Sequence, residues 1–227
     1  MYADEVPPMT ASYFDVDGTL VSSNLMHTAV WYMANDINPL RSAKQLGRLL
    51  LRAPQLLVAE LTDRRAFNEL LFEAFRGTPE DRLHVLADEA FEWCMRSNIY
   101  DGARDIVSRA KDLGHEVVFV SGALDFLLAR LATELGADHY VGNRLEIHDG
   151  QATGKLLRPV VAGPNKSRLI ANHARDNGHE LAECFGYSDS YSDVPMLSVV
   201  GRPAVINPDP KLLRLARTYQ WPIIELT

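Results

Sequence analysis

The chain has 227 residues, 47% apolar and 23% charged, which is ordinary for a globular protein of one or two domains with a real core and excludes a disordered chain, a collagen or a coiled coil. Its 23 basic and 30 acidic residues leave a net charge of -7, which argues against a nucleic-acid partner because phosphate backbones select basic surfaces. Two cysteines make no disulfide framework, no apolar run approaches the ~18 residues of a membrane span, and the acidic opening MYADEVPP has no signal-peptide core; these features predict a cytoplasmic protein without stable membrane anchoring, frayed over residues 1–10.

In chain order, ASYFDV (11–16) predicts a first strand that ends at a turn marked by Gly18. Residues 22–98 read as helical, with hardly any β-branched run. Leu46, Leu49, Leu50, Leu56, Leu57 and Leu61 recur at roughly helical spacing, and Pro54 breaks or kinks the pattern. Thr78-Pro79-Glu80-Asp81 is a helix start, with Thr78 able to cap and acids at the positive end. The texture changes near residue 99. Asp101 can cap a helix that runs to Gly114, HEVVFVSG (115–122) is a buried strand, and a helix over 123–135 ends at Gly136. A short strand (138–141) precedes NRLEIHDGQATGKL (143–156), which reads as a hairpin about Asp149-Gly150. A helix over 166–177, a strand ECFGYS (183–188), a helix opening near Asp193, and strands PAVIN (203–207) and PIIEL (222–226) complete the chain. Residues 208–227 read as a connector and a last strand without chemistry.

Strands alternating with helices predict an α/β fold: a Rossmann-like parallel sheet covered on both faces. The economical division is a core of 11–21 and 99–227 with a helical cap, 22–98, inserted after the first strand. Ligands of such sheets bind at the carboxyl ends of the strands, so the chemistry is sought there.

The first strand ends in Asp15-Val16-Asp17-Gly18-Thr19. Side chains two apart on a strand share a side, and two carboxylates so placed repel unless a cation is near or one holds a proton. Both remedies serve phosphoryl transfer. Mg²⁺ takes one or two carboxylates and leaves positions for phosphate oxygens; one Asp can attack phosphorus while its partner moves the proton. The pair can equally be turn and cap acids. The second strand ends in Ser121-Gly122, a hydroxyl and amides at a helix start that can hold phosphate or simply cap a helix. Lys166 opens a helix, the wrong end for a cation unless an anion is near. Asp189 and Asp193 follow the ECFGY strand and can face one cation, though Asp193 can also cap. Each signal after the first is weak; their order along one predicted sheet edge is not easily accidental.

With FDVDGTL, VVFVSGA, Lys166 and GYSDSYSDVPML in that order, the sequence resembles the haloacid dehalogenase (HAD) superfamily of phosphohydrolases, and within it the phosphoserine phosphatase branch, subclass IB, over about residues 11–207. GADHYVGNRLEIHDGQATGKL also resembles that branch. The resemblance implies that Asp15 is the nucleophile and Asp17 the general acid and base. It implies that Mg²⁺ is held by Asp15, the Asp17 carbonyl, Asp189 and Asp193. It implies that Ser121, Gly122 and Lys166 bind the phosphoryl group while Thr19 steadies the loop. Two departures stand out: Asn24 occupies the position of a substrate-binding Glu, and Ser188-Asp189-Ser190-Tyr191-Ser192-Asp193 lacks the Asn of the fourth motif.

Specificity is expected in the cap, where Asn24, His27 and Arg65 are candidate substrate contacts. Residues 41–65 carry Arg41, Lys44, Arg48, Arg52, Arg64 and Arg65 against Glu60 and Asp63. Such a basic, leucine-rich helix can meet an anionic lipid or a phospholipid-like substrate; a solvated basic face over a leucine core is the plainer expectation. Trp31, Tyr32, Phe67, Phe72, Phe75, Phe91 and Trp93 are read as cap core, and the seven histidines show no zinc-ligand spacing. The expected activity is Mg²⁺-dependent hydrolysis of a small phosphomonoester, phosphoserine-like or other, through an aspartyl phosphate. The alternatives are a phosphotransferase, a lysophospholipid-type phosphatase, and a phosphorylatable signalling module. Whether the chain is a monomer or a dimer is left open.

Overall fold

The structure is a computed structural model that describes residues 10–227; of the segment expected to fray, all but Thr10 lies outside the described residues. Strand β1 (Ala11–Phe14) is buried throughout. The chain then leaves the sheet for α1 (Leu25–Ala34), α2 (Pro39–Leu51), α3 (Ala53–Thr62), α4 (Arg64–Phe72), α5 (Glu80–Val85) and α6 (Ala87–Cys94). It returns through α7 (Asp101–Asp112), β2 (Glu116–Leu124), α8 (Asp125–Leu135) and β3 (His139–Asn143). A hairpin of β4 (Leu145–His148) and β5 (Gln151–Leu156) leads to α9 (Pro164–Asn177), β6 (Phe185–Ser188) and α10 (Val194–Val199). The chain closes with β7 (Arg202–Ile206), α11 (Pro210–Tyr219) and β8 (Ile223–Ile224).

The sheet runs β3-β2-β1-β6-β7-β8, with every neighbouring pair parallel. Successive strands step away from β1 on one side, then resume with β6 on the other, so the chain reverses direction of growth beside β1. A crevice forms at the carboxyl edge of such a reversal. Two cores sandwich the sheet. Phe14 and Phe119 pack with Leu71 and Phe75 of the helical insertion on one face, and Tyr13, Val118, Val120 and Ile170 on the other. At the hairpin, Asp149 and Gly150 both take positive φ (49° and 69°), the requirement of the two-residue turn their sequence predicts.

The chain enters and leaves the insertion through one narrow neck. Val21 and Ile99 form an antiparallel bridge, flanked by Ser22 N–H to the Asn98 carbonyl at 2.8 Å and Tyr100 N–H to the Leu20 carbonyl at 3.0 Å.

Several expectations need correction. Thr78 caps nothing: it is buried and accepts from Gln45 Nε2 at 2.8 Å, while Pro79 holds the cap position. Asp101 is the first residue of α7, after Tyr100, and makes no side-chain cap. The leucines do not all enter a core. Leu49 and Leu56 are buried, but Leu50 (74% exposed), Leu57 (64%) and Leu61 lie outside it, because α2 and α3 break at Arg52 and their leucines cover more than one face. Trp93 is likewise exposed. Residues 208–227 are more than a connector: α11 buries Leu212 and Ala216, and the Asp209 carboxylate accepts from Lys211 N–H at 2.8 Å and Leu212 N–H at 2.9 Å. The Asp-Pro start and the leucine spacing were available signals.

Candidate active site

Asp15 follows β1 directly, and its N–H donates to the Tyr187 carbonyl on β6 at 2.9 Å. That tie points the residue to the carboxyl edge of the sheet. Lys166, in the first turn of α9, donates to Asp15 Oδ1 at 2.6 Å and to Asp193 Oδ2 at 2.8 Å, and all three are buried. Thr19, also buried, lies 3.3 Å from Asp15 Oδ2 and 3.1 Å from Asp189 Oδ1, so its hydroxyl is shared between the two. Ser188 donates to Asp193 at 2.9 Å. Ser121 donates to Asp17 Oδ2 at 2.9 Å while accepting from Ala123 N–H at 2.9 Å. Asp15, Asp17, Ser121, Lys166, Thr19, Asp189 and Asp193 therefore converge in one constellation, as their order in the sequence suggested.

Gly18 explains how closely the loop approaches. Its φ is +85°, and a Cβ there would fall 2.2 Å from Asp189 Oδ2; only glycine allows both the left-handed turn and that contact.

The electrostatics are unbalanced. Four carboxylates gather, and among the described residues Lys166 is the cation hydrogen-bonded to them. Burial resists the Lys166 charge, but Asp15 and Asp193 override it and hold the ammonium above the usual lysine range. Burial raises Asp15, against the pull of Lys166. Burial, reinforced by the Asp15 charge, pushes Asp17 up to about 6. Burial and the charges of Asp15 and Asp193 push Asp189 up to about 8. Carboxylates so perturbed are short of positive charge. Hard oxygen donors with excess negative charge suit Mg²⁺, which prefers carboxylates, carbonyls and water; Asp15, Asp189, Asp193 and the Asp17 carbonyl are the groups that would hold it.

These residues form the floor of a cavity of about 710 Å³. Gly122 and Asn24 line it; Asn24 also caps α1, accepting from His27 N–H at 3.1 Å. His27 itself is exposed and outside the lining. Arg65 is also outside, paired with Glu69 at 3.3 Å on the far side of α4. Its neighbour Arg64 lines the cavity, ion-paired with Glu60; one residue rotates the helix by about 100°, enough to exchange the inward position. The wall above the floor is apolar, with Val30, Leu49, Leu50, Leu56 and Leu57.

Three features escaped sequence reasoning. Buried Asn68 lines the cavity beside Gly122, where its Nδ2 would lie 2.8 Å from an added Cβ. Buried Asn143 donates to the Gly122 carbonyl at 2.8 Å and accepts from Val161 N–H at 2.8 Å, strapping the end of β2 to the loop before α9. Neither sits in a motif with local chemistry. Histidines scattered in sequence also meet in space: ligand atoms of Glu116, His139 and His173 lie within 4.8 Å of one another.

The haloacid dehalogenase-like hydrolase model matches residues 13–198, which span every element of this constellation. The chain belongs to that family. It is a phosphatase of the HAD type. It is 34% identical to phosphoserine phosphatase SerB1 of Mycobacterium tuberculosis, over 97% of this chain and 73% of that protein. It is 32% identical to the inhibition of morphological differentiation protein of Streptomyces azureus, over 96% of this chain and 79% of that protein. Among solved structures, a protein of unknown function from Bordetella pertussis superposes with a TM-score of 0.80 at 24% identity, covering 96% of this chain and 98% of that one. A phosphoserine phosphatase in its apo form gives 0.68 at 19% identity, covering 94% and 99%. These likenesses show the HAD fold. No helix among the described residues is long and apolar enough to cross a membrane.

Proposed function

We propose that this phosphatase hydrolyses a phosphomonoester with a large apolar body, through a phosphoryl-Asp15 intermediate and with Mg²⁺ bound. The observation that carries the chemistry is the buried Asp15 carboxylate at the cavity floor, aligned by Lys166 and Thr19. An Asp15 oxygen forms a bond to phosphorus as the ester P–O bond breaks. Asp17, whose pKa of about 6 lies near neutral pH, gives its proton to the leaving oxygen. It then takes a proton from water as that water attacks the acyl phosphate, which releases phosphate and restores Asp15. Lys166, Ser121 and the Gly122 amide hold the equatorial oxygens, where charge develops. Mg²⁺, when bound, supplies the remaining positive charge.

The apolar wall favours a lysophospholipid-type ester. A small polar substrate would leave Val30, Leu50 and Leu57 against water, whereas an acyl chain covers them. A phosphoserine-like substrate is the second reading. It is favoured by the Glu60–Arg64 pair in the cavity, which can meet an ammonium and a carboxylate. Phosphate release with Mg²⁺ from glycerol phosphate, lysophosphatidates of increasing chain length, phosphoserine and an aryl phosphate separates them. Rates that climb with chain length support the first reading; a preference for phosphoserine selects the second. Asp15→Asn is expected to lower turnover on every substrate by at least about a thousandfold, with the fold intact; a rate near wild type would refute the nucleophile assignment.

A further inference from the structure

We propose that Glu116, His139 and His173 form a second metal site, for a zinc-type divalent cation, at the amino edge of the sheet, opposite the phosphatase cavity. The topology brings them together. Glu116 opens β2 and His139 opens β3. His139 is paired in register with Val118, two residues beyond Glu116, so both side chains leave the same face. That face is covered by α9, which carries His173.

The distances suit the ion. His139 Nε2 lies 2.9 Å from Glu116 Oε1, and His173 Nε2 lies 3.9 Å from the same oxygen. Two ligands bound tetrahedrally at about 2.1 Å stand about 3.4 Å apart, so the observed spacings bracket the required one.

Two further observations point to a ligand. His173 Nε2 is buried and has no hydrogen-bond partner among the described residues, a costly state for a polar atom in a folded interior. Its other nitrogen, Nδ1, is engaged by the Tyr13 hydroxyl at 3.2 Å, which fixes the ring and turns Nε2 toward Glu116. The carboxylate is oriented in the same way, because His179 Nε2 bonds its second oxygen. Metal-binding histidines and carboxylates are characteristically held by such partners on their far sides. Imidazole and carboxylate suit zinc, with water in the fourth position. Bound there, the cation would tie β2, β3 and α9 together and stabilise the native state by linkage.

The test uses the intact protein, stripped with a chelator and returned to excess Mg²⁺, so that the acidic cluster is saturated. Wild type is expected to retain one equivalent of Zn²⁺ after desalting, to gain about 5 °C or more in Tm, and to show the visible bands of four-coordinate Co²⁺. His139→Ala, a change at an exposed position, is expected to lose all three responses while keeping its Mg²⁺-dependent phosphatase rate. His173→Gln, which can still reach Tyr13, is expected to lose them too. No retained Zn²⁺ in wild type overturns the proposal, and so does equal retention in His139→Ala.

Discussion

Asp189 carries the sharpest consequence at the scale of single residues. Its pKa stands at about 8 against an ordinary value of 3.8, and that of Asp17 stands at about 6. Groups raised in this way bind more protons folded than unfolded, so their effect on stability worsens as pH rises. In metal-free protein the penalty is absent below about pH 4, grows through pH 8 and then levels off. Melting temperatures of chelator-treated protein are expected to fall between pH 5 and 8, and Mg²⁺ is expected to restore them most at pH 8. Asp189→Asn should raise the metal-free Tm at pH 8 by several degrees and blunt the response to Mg²⁺. A flat wild-type profile would contradict the charge imbalance.

At the scale of elements, position depends on residues that do no chemistry. Asn143, on β3, satisfies Gly122 and Val161 at once. Asn143→Ala leaves a buried carbonyl and N–H without partners and is expected to cost about 2 kcal/mol. It should lower kcat as well, since both strapped segments line the cavity beside the proposed phosphate site. Urea denaturation beside a rate measurement checks both effects. On α3, Leu57 tests the substrate body. Leu57→Asp is expected to lower kcat/KM about tenfold for a long-chain lysophosphatidate and to leave an aryl phosphate nearly unchanged, with little effect on stability because the side chain is largely exposed; equal losses on both would argue against the apolar wall as a binding surface.

These elements also show what the sequence made legible. Asp15, Asp17, Ser121, Lys166, Asp189 and Asp193 were readable because each sits at a strand end or helix start, where local pattern and chemistry coincide. Asn143, Asn68 and the Glu116–His139–His173 group were not, since their meaning arises from pairing across 18 residues or more. Arg64 and Arg65 were indistinguishable in sequence because a boundary error of one residue exchanges inside for outside on a helix. The α11 helix was missed despite a good start signal, because the flanking strands drew the whole segment into a connector.

At the scale of the whole molecule, that last helix reaches the candidate active site. Asp209 caps α11 through Oδ1, while its Oδ2 accepts from Tyr191 N–H at 2.6 Å and its own N–H donates to the Asp189 carbonyl at 2.7 Å. One residue thereby couples the closing segment to the loop that carries Asp189 and Asp193. Asp209→Ala is expected to cost about 1–2 kcal/mol and to weaken Mg²⁺ activation, read as a higher Mg²⁺ concentration for half-maximal rate. Unchanged activation would make the contact purely a helix cap.

The neck between Val21 and Ile99 has a different bearing. Six helices enter and leave the core through two adjacent chain segments joined by a few main-chain hydrogen bonds. The acids proposed for catalysis lie on the core side of that junction, and the apolar wall lies on the other. That junction is not the whole attachment: Leu71 and Phe75 pack with Phe14 and Phe119, and Gly77, Thr78 and Glu80 share main-chain hydrogen bonds with Gly150 and Ala152. A relative's inserted helices, grafted between positions 21 and 99, are expected to bring their own choice of ester only where they also reproduce those contacts.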